Sequence, residues 1–312
     1  MRNNTQRRID KLGRSIKGTR AYRVYRQSLL YDTVRGQLRA LQRLFRLPRY
    51  LGSEYQCPIC GTRLCAYKPI GKTYWRDMEK FGVIYPPDVR ETFNVTMAYC
   101  PRCDASDRER LQALFLKVAF CRFSGSRRRL LIEFAPNAAL SKMIKLYPSI
   151  VYRSADLSRK TVDERIDLTA MNRYADQSVD IILCSDVLEH IPEDRKAMRE
   201  IARVLKPDGF AVLLVPLVKG LDETHEDPAI VSEAMRWKYF GMGDHVRQYG
   251  KRDFLERLSA AGLTVHQLGK EYFGAEAFRN AGLTESSVLY VVRPSTDRVS
   301  NDLAFAQSWP QP

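Results

Sequence analysis

Residues 178–209 read SVDIILCSDVLEHIPEDRKAMREIARVLKPDG, and the order of apolar and polar positions in this stretch decides the fold. Asp180 opens an apolar run over 181–184, short and β-branched enough for a central parallel strand. Pro192 lies near a helix start, where Glu193 and Asp194 face the positive end of the backbone dipoles. Met198, Ile201, Ala202 and Leu205 then recur at helical spacing, and Pro207-Asp208-Gly209 stops the helix. The next apolar strand covers 210–215. Together these residues predict a βαβ unit.

Working outward, Leu130-Leu131-Ile132 predicts a strand that ends in Glu133. The turn Phe134-Ala135-Pro136-Asn137 leads into a helix marked by Leu140, Met143, Ile144 and Tyr147. A second strand over 150–154 ends at Ala155-Asp156, and a third short segment reaches Asp167-Leu168-Thr169. Glu133, Asp156 and Asp167 thus stand at the carboxyl ends of strands, where open α/β sheets bind ligands. Acids at strand ends are also ordinary solvated loop residues. Three in register, followed by the 178–209 unit, favour a ligand edge. Glu133 and Asp156 are 23 residues apart, close to the ~20 that separates a nucleotide-binding turn from its ribose-binding acid. A carboxylate there can accept hydrogen bonds from both ribose hydroxyls.

The 312 residues, 45% of them apolar, can bury one large core plus a smaller module. No apolar run reaches the ~18 residues of a membrane-spanning helix, and the N-terminus lacks the apolar segment of a signal peptide. The expected setting is cytoplasmic. The formal charge is +15, and residues 1–50 carry fourteen Arg or Lys against only Asp10 and Asp32. The basic character therefore belongs to one arm rather than to the body. Four segments are predicted: a basic helical arm (1–50), a cysteine module (51–123), an α/β body (127–293) and a polar tail (294–312). Ser124-Gly125-Ser126 followed by Arg127-Arg128-Arg129 marks the boundary before the body.

Cys57-Pro58-Ile59-Cys60-Gly61 and Cys100-Pro101-Arg102-Cys103 are two CPxC turns separated by 39 residues. A CxxC turn aims two thiolates at one point, and two such turns complete a tetrahedral zinc site. The long spacing and the nearby Cys65 count against this set, while a duplicated thioredoxin-like pair has no use. With four thiolate ligands the site is closed, so zinc would hold the module together. Cys121 and Cys184 stand in apolar contexts and read as core.

The 178–209 wording resembles the fourth and fifth strands of class I S-adenosylmethionine-dependent methyltransferases, where a "FD…LEH…E..RVLKPGG" run is characteristic. The resemblance implies a Rossmann-like sheet with helices on both faces and S-adenosylmethionine as cofactor. By the resemblance, Asp156 is the ribose ligand, Asp167 with Leu168 contacts the adenine, and Glu133 with Ala135 stands at the methionine end. Ser185 and Asp186 would then lie beneath the reactive sulfonium. One departure matters: the turn after Glu133 is Phe134-Ala135-Pro136-Asn137-Ala138-Ala139, with no glycine where the family has several.

The segment 224–262, THEDPAIVSEAMRWKYFGMGDHVRQYGKRDFLERLSAAG, looks like one found in a bacterial subgroup of type 11 methyltransferase-domain proteins, many of them set among glycan enzymes. The run Cys103-Asp104-Ala105-Ser106-Asp107-Arg108-Glu109-Arg110 resembles the "C.S.ER.R" wording of that subgroup, whose N-terminal module is zinc-ribbon-like. The 224–262 insert holds what an acceptor pocket needs. His245 is the first candidate base, since its ordinary pKa lies near working pH, and His225 beside Glu226 and Asp227 is the second. Arg247 and Arg236 could hold an anionic acceptor, and Tyr249 could stack on it. Asp244, His245 and Arg247 equally suit a polar network that braces the loop. His190 in the "LEH" run reads as scaffold.

In the arm, Leu30, Val34, Leu38, Leu41 and Phe45 form an apolar stripe beside Arg35, Arg39, Arg43 and Arg46. This fits a helix on an anionic membrane surface or a helix packed on the body. With Tyr22, Tyr25 and Tyr31 it also fits a nucleic-acid contact. Three functions compete. The first is methyl transfer to a small-molecule or glycan-precursor acceptor. The second is RNA methylation with a zinc-ribbon module, for which a basic face continuous with the cofactor cleft is required. The third is a degenerate fold serving as a scaffold, which the glycine-free turn motivates.

Overall fold

The computed structural model describes residues 47–123 and 127–295. The arm's stripe, the Ser124-Gly125-Ser126 link and the tail beyond Ser295 lie outside them. The chain divides into two compact units, 1–50 and 51–312. Of the first, only Leu47–Tyr50 is described, as a short 3-10 turn.

The second unit opens with β1 (Leu51–Gln56), β2 (Arg63–Leu64), α1 (Lys72–Phe81) and α2 (Asp107–Cys121). Then follow β3 (Arg129–Phe134), α3 (Ala138–Ile144), β4 (Ile150–Asp156), β5 (Glu164–Arg165), β6 (Val179–Ser185), α4 (Asp194–Val204) and β7 (Leu205–Leu214). It closes with β8 (His225–Glu226), α5 (Glu233–Phe240), β9 (Arg247–Gln248), α6 (Lys251–Ala260), β10 (Leu263–Leu268), α7 (Lys270–Phe273), α8 (Ala275–Asn280) and β11 (Leu289–Pro294).

Seven strands form one sheet in the order β10-β11-β7-β6-β3-β4-β5. β3 pairs in parallel with β4 on one side and β6 on the other, and β7 continues the parallel run. β11 is antiparallel to β7, and β10 to β11. The chain leaves β5 at one edge and returns beside β3 as β6, so the strand order reverses at β3/β6. Ligands of open α/β sheets bind at the carboxyl end of such a reversal. Residues 179–184 of β6 are all buried, as a strand covered on both faces requires. The predicted helix in 178–209 buries Ala197, Met198, Ile201 and Val204. It ends at Val204 rather than at Pro207, because Leu205 pairs with Val179 and a register irregularity absorbs the residues before Phe210. Lys206 precedes a proline and is sterically biased to extended backbone.

α2 starts with a capping box between Ser106 and Glu109. Its residues Leu111, Phe115, Leu116 and Phe120 join the same core as Ile132, Ile182 and Val212 of the sheet. Arg110 of α2 is fully buried. It donates to the carbonyls of Ala105 (3.0 Å), Met97 (2.5 Å) and Ala281 (2.6 Å) and lies over the Tyr67 ring. A planar five-donor cation suits such a hub, since each buried carbonyl it meets is satisfied. Among the described residues, no helix is long and apolar enough to cross a membrane.

Candidate cofactor cavity and cysteine cluster

A cavity of about 570 Å³ lies at the carboxyl ends of β3, β4 and β6, a volume ordinary for a small-molecule site. Ala135, Asp156, Asp167, Leu168 and Thr169 line it from the first half of the sheet, and Asp186, Val187, His190–Glu193 and Asp244 from the second.

Each wall residue is fixed locally. Asp156 closes β4, and its Oδ1 accepts the backbone N–H groups of Ser158 and Arg159, both at 2.9 Å. Burial raises its pKa, but these N–H groups outweigh burial and hold the carboxyl below the usual range. Oδ2 has the Arg159 Nε at 3.7 Å. Asp167 follows β5 and accepts the Thr169 N–H and hydroxyl on one oxygen, each at 2.8 Å. The predicted third strand is thus shorter than its reading, two residues ending at Arg165, with Ile166 N–H donating to the Asp156 carbonyl.

The glycine-free turn is made by Ala135 in left-handed backbone, φ 48°. Alanine is the smallest side chain that can stand there, at a cost of roughly 1–2 kcal/mol. Asn137 then caps α3 by accepting the N–H groups of Ala139 and Leu140. Glu133 stands behind this turn. It is buried and accepts from Asn137 N–H (3.0 Å), Ser141 Oγ (2.6 Å) and Tyr152 OH (2.6 Å). Burial raises its pKa. Ser185 lies behind the wall too, its Oγ 3.5 Å from Asp186 Oδ2. Asp186, at φ 55°, receives Arg108 Nη1 at 2.6 Å.

Of the acceptor residues read from the sequence, Asp244 lines the cavity, whereas His225, His245, Arg247 and Tyr249 do not. Arg247 is buried. It donates to the carbonyls of Leu188 (3.1 Å), Ile191 (2.5 Å) and Pro192 (2.9 Å), and to Glu226 Oε2 (2.6 Å). Tyr249 OH donates to Asp194 at 2.5 Å, and Arg257 bridges Asp194, Glu226 and Asp253. Burial raises the pKa of Glu226, but Arg257 and Arg247 outweigh it and bring the carboxyl to about 2. His225 packs its ring near Tyr239 and Phe240. His245 donates from Nδ1 to the Phe240 carbonyl at 3.0 Å, and burial pushes its pKa to about 3. Arg236 donates to the carbonyl of Ile230.

His190, read as scaffold, lines the cavity beside Asp244, with Nδ1 3.5 Å from Asp244 Oδ2. Its place four residues after Asp186, in the loop that follows β6, is the signal that could have found it. Glu189 is fully buried, and burial pushes its carboxyl up to about 8.

In the cysteine module, Cys57, Cys60, Cys100 and Cys103 hold their Sγ atoms within 4.8 Å of one another. Cys57–Cys103 and Cys60–Cys100 are 3.8 Å apart. A tetrahedral ion with metal–sulfur bonds of ~2.3 Å needs S···S edges of about 3.8 Å, so this donor set fits zinc. The two turns have the same build: Gly61 N–H donates to Cys57 O, and Asp104 N–H to Cys100 O. Gly61 (φ 69°) and Asp104 (φ 66°) both take left-handed backbone. Cys65 is not part of the cluster.

The sheet order and the strand-order reversal define a Rossmann-like α/β fold with a cavity at the reversal. A family profile described as a methyltransferase domain matches residues 89–268, more than half of the chain. The chain belongs to this methyltransferase-domain family, which implies S-adenosylmethionine as cofactor. Among curated proteins, a thiol S-methyltransferase of Rattus norvegicus is 30% identical over 86 residues, 27% of this chain and 34% of that one. The match therefore spans about a third of that relative. Solved structures similar to this chain include an O-methyltransferase family protein from Burkholderia thailandensis (16% identity, TM-score 0.39, 64% of this chain and 61% of that one). Another is the 1,6-didemethyltoxoflavin N1-methyltransferase of the same organism, with bound S-adenosylhomocysteine (15% identity, TM-score 0.37, 55% and 72%).

Proposed function

We propose that the protein transfers a methyl group from S-adenosylmethionine to a small-molecule or glycan-precursor acceptor. The observation that carries this reading is the meeting of Asp156 and Asp167 on one cavity wall, at the strand-order reversal of a family-member sheet. When bound, the cofactor supplies an electrophilic methyl group on a sulfonium. Asp156, whose Oδ2 is the less committed oxygen, would hold the ribose hydroxyls, and Asp167 with Leu168 would bound the adenine. Ala135 gives the small turn at the methionine end, and Glu133 stiffens that turn through Asn137 and Ser141. Asp186, backed by Ser185, closes the floor on the acceptor side, where Asp244 and His190 also line the cavity.

Arg247 and Tyr249 act here as positioning residues. Arg247 ties down three carbonyls of the 188–192 segment, which forms part of the cavity wall, so its effect on acceptor binding runs through that wall. Zinc on Cys57, Cys60, Cys100 and Cys103 stabilises module 51–123 and takes no part in transfer, since four thiolates leave no open position. The basic arm 1–50 adds association with an anionic partner, and 127–293 forms the methyltransferase body.

Calorimetric titration with S-adenosylhomocysteine tests the reading. Micromolar binding is expected. No binding at millimolar ligand would sink the enzyme reading in favour of a scaffold. Activity should then be screened on hydroxyl, amine and thiol acceptors, the last because of the partial likeness to a thiol S-methyltransferase.

A further inference from the structure

We propose a second metal site, a divalent first-row transition ion held by Glu189, His190 and His245 at the acceptor end of the cavity. One ligand atom from each of these residues lies within 4.8 Å of the others. The cluster is built for a cation and not merely acidic. Glu189 is fully buried, and neither carboxylate oxygen has a hydrogen-bond partner. A buried carboxyl whose two oxygens meet no donor is an unsatisfied polar group, and an ion is one way to satisfy it.

The geometry of His245 points to what meets it. A carbonyl only accepts, so the Nδ1 that bonds Phe240 O carries the proton, and Nε2 keeps its lone pair. That lone pair is 4.0 Å from Glu189 Oε1. Two acceptors cannot bond each other across this gap, but an ion between them reaches both with bonds of ~2.1 Å. Nδ1 donation to a backbone carbonyl is also how metal-binding imidazoles are oriented. His190 sits edge-on to His245, ring centroids 4.7 Å apart, and also lines the cavity. It therefore supplies the third ligand and links the ion to the acceptor space. Asp244, 3.5 Å from His190 Nδ1, orients that ring.

The other charged groups near the cluster are Arg90, Arg108 and Asp186. Arg108 Nη1 is paired with Asp186 at 2.6 Å, and Arg90 Nη1 donates to Tyr74 OH at 3.4 Å, while Arg108 Nη2 and Arg90 Nε and Nη2 are buried without a hydrogen-bond partner. Two imidazoles and one carboxylate suit ions from Mn2+ to Zn2+ and leave coordination positions open. An oxygen-bearing acceptor, such as a hydroxyl or enol, would approach the ion from the cavity side, where His190 lies. This role for the ion rests on the methyltransferase reading, whereas the site itself does not.

The test uses the full-length protein, dialysed against EDTA and given back one equivalent of Zn2+, which four thiolates take ahead of an N,O set. Mn2+ alone is then titrated and read by electron paramagnetic resonance. Wild type should bind Mn2+ at a single site, and Glu189→Gln and His245→Gln should each bind it at least ~tenfold more weakly. Glu189→Gln keeps shape and volume, so its thermal midpoint should stay at or above that of wild type. Equal Mn2+ affinity in wild type and Glu189→Gln, or no binding by wild type at millimolar Mn2+, overturns the site. Glu189 is then a carboxyl compensated by Arg90 and Arg108 through water. Titration of the same samples with S-adenosylhomocysteine separates the two readings. Cofactor binding without Mn2+ binding rejects the cation site alone, and Mn2+ binding without cofactor binding rejects the methyltransferase reading alone.

Discussion

Arg247 shows how far one residue's meaning depends on what surrounds it. As a sequence letter beside His245 it reads as an anion holder. In the fold its guanidinium is consumed by Glu226 and three carbonyls of the segment before α4. Removing it leaves those acceptors and a carboxylate without their donor, so Arg247→Met should cost about 3–5 kcal/mol of stability, the range for breaking a buried pair. Urea unfolding measures this. Arg247→Lys should recover little of the loss, because a single ammonium cannot reproduce the planar fork. An Arg247→Met protein as stable as wild type would return Arg247 to the list of acceptor ligands. Asp156 offers the opposite case. It is on the cavity wall and its removal leaves no buried partner, so Asp156→Ala should leave the thermal midpoint nearly unchanged. Calorimetry with S-adenosylhomocysteine should show binding weakened by ~1.5–3 kcal/mol.

At the scale of elements, the two CPxC turns are the clearest case of local sequence setting local geometry. Each needs a left-handed residue at the same step, met by Gly61 in one and Asp104 in the other, with Lys68 Nζ 2.5 Å from Asp104. Elemental analysis should find about one zinc per chain in the purified protein, and Cys57→Ser or Cys103→Ser should release it and expose 51–106 to protease. Well-folded protein without metal would contradict this, and zinc retained in Cys57→Ser would make Cys65 the ligand. Gly250 marks another element boundary, the entry to α6. A Cβ built there meets Glu223 C at 2.3 Å and Asp222 O at 2.4 Å, both backbone atoms that cannot swing aside. Gly250→Ala should therefore lower the thermal midpoint by several degrees, consistent with an overpacking cost of ~1–3 kcal/mol. The β6–α4–β7 unit was legible because its apolar residues repeat with the period of each element. The short segment before Asp167 was legible only as that, because the two residues of β5 leave no periodicity from which to read its end.

At the scale of the molecule, the Glu226–Arg247–Asp194–Arg257–Tyr249 network ties the 188–194 segment, β8, β9 and α6 into one body. Its carboxylates make stability depend on pH. Glu226 is brought to about 2 from an ordinary 4.5. Its contribution is therefore fully present above about pH 4.5 and is lost as pH falls towards 2. Thermal midpoints measured across that window should fall steeply for wild type. They should fall less for Glu226→Gln, which starts lower at neutral pH. Equal slopes would show that Glu226 does not couple to the two arginines in solution.

The sequence alone determined the α/β class, the order of the central elements and the placing of Glu133 and Asp156 at strand ends, with Asp167 just past β5. Each of these follows from short-range periodicity, turn residues and the rule that ligands sit where parallel strands end. It also determined the four thiols, because a CxxC turn is a local device. Tertiary structure alone decided which acceptor-side residues meet the cavity. Asp244 reaches it while its neighbour His245 turns inward to Glu189 and His190. Arg247 and Tyr249, a few residues on, are spent on Asp194 and the carbonyls before α4. The reason is that segment 216–250 has little regular structure of its own, so its side chains point where buried partners far away in sequence need to be satisfied.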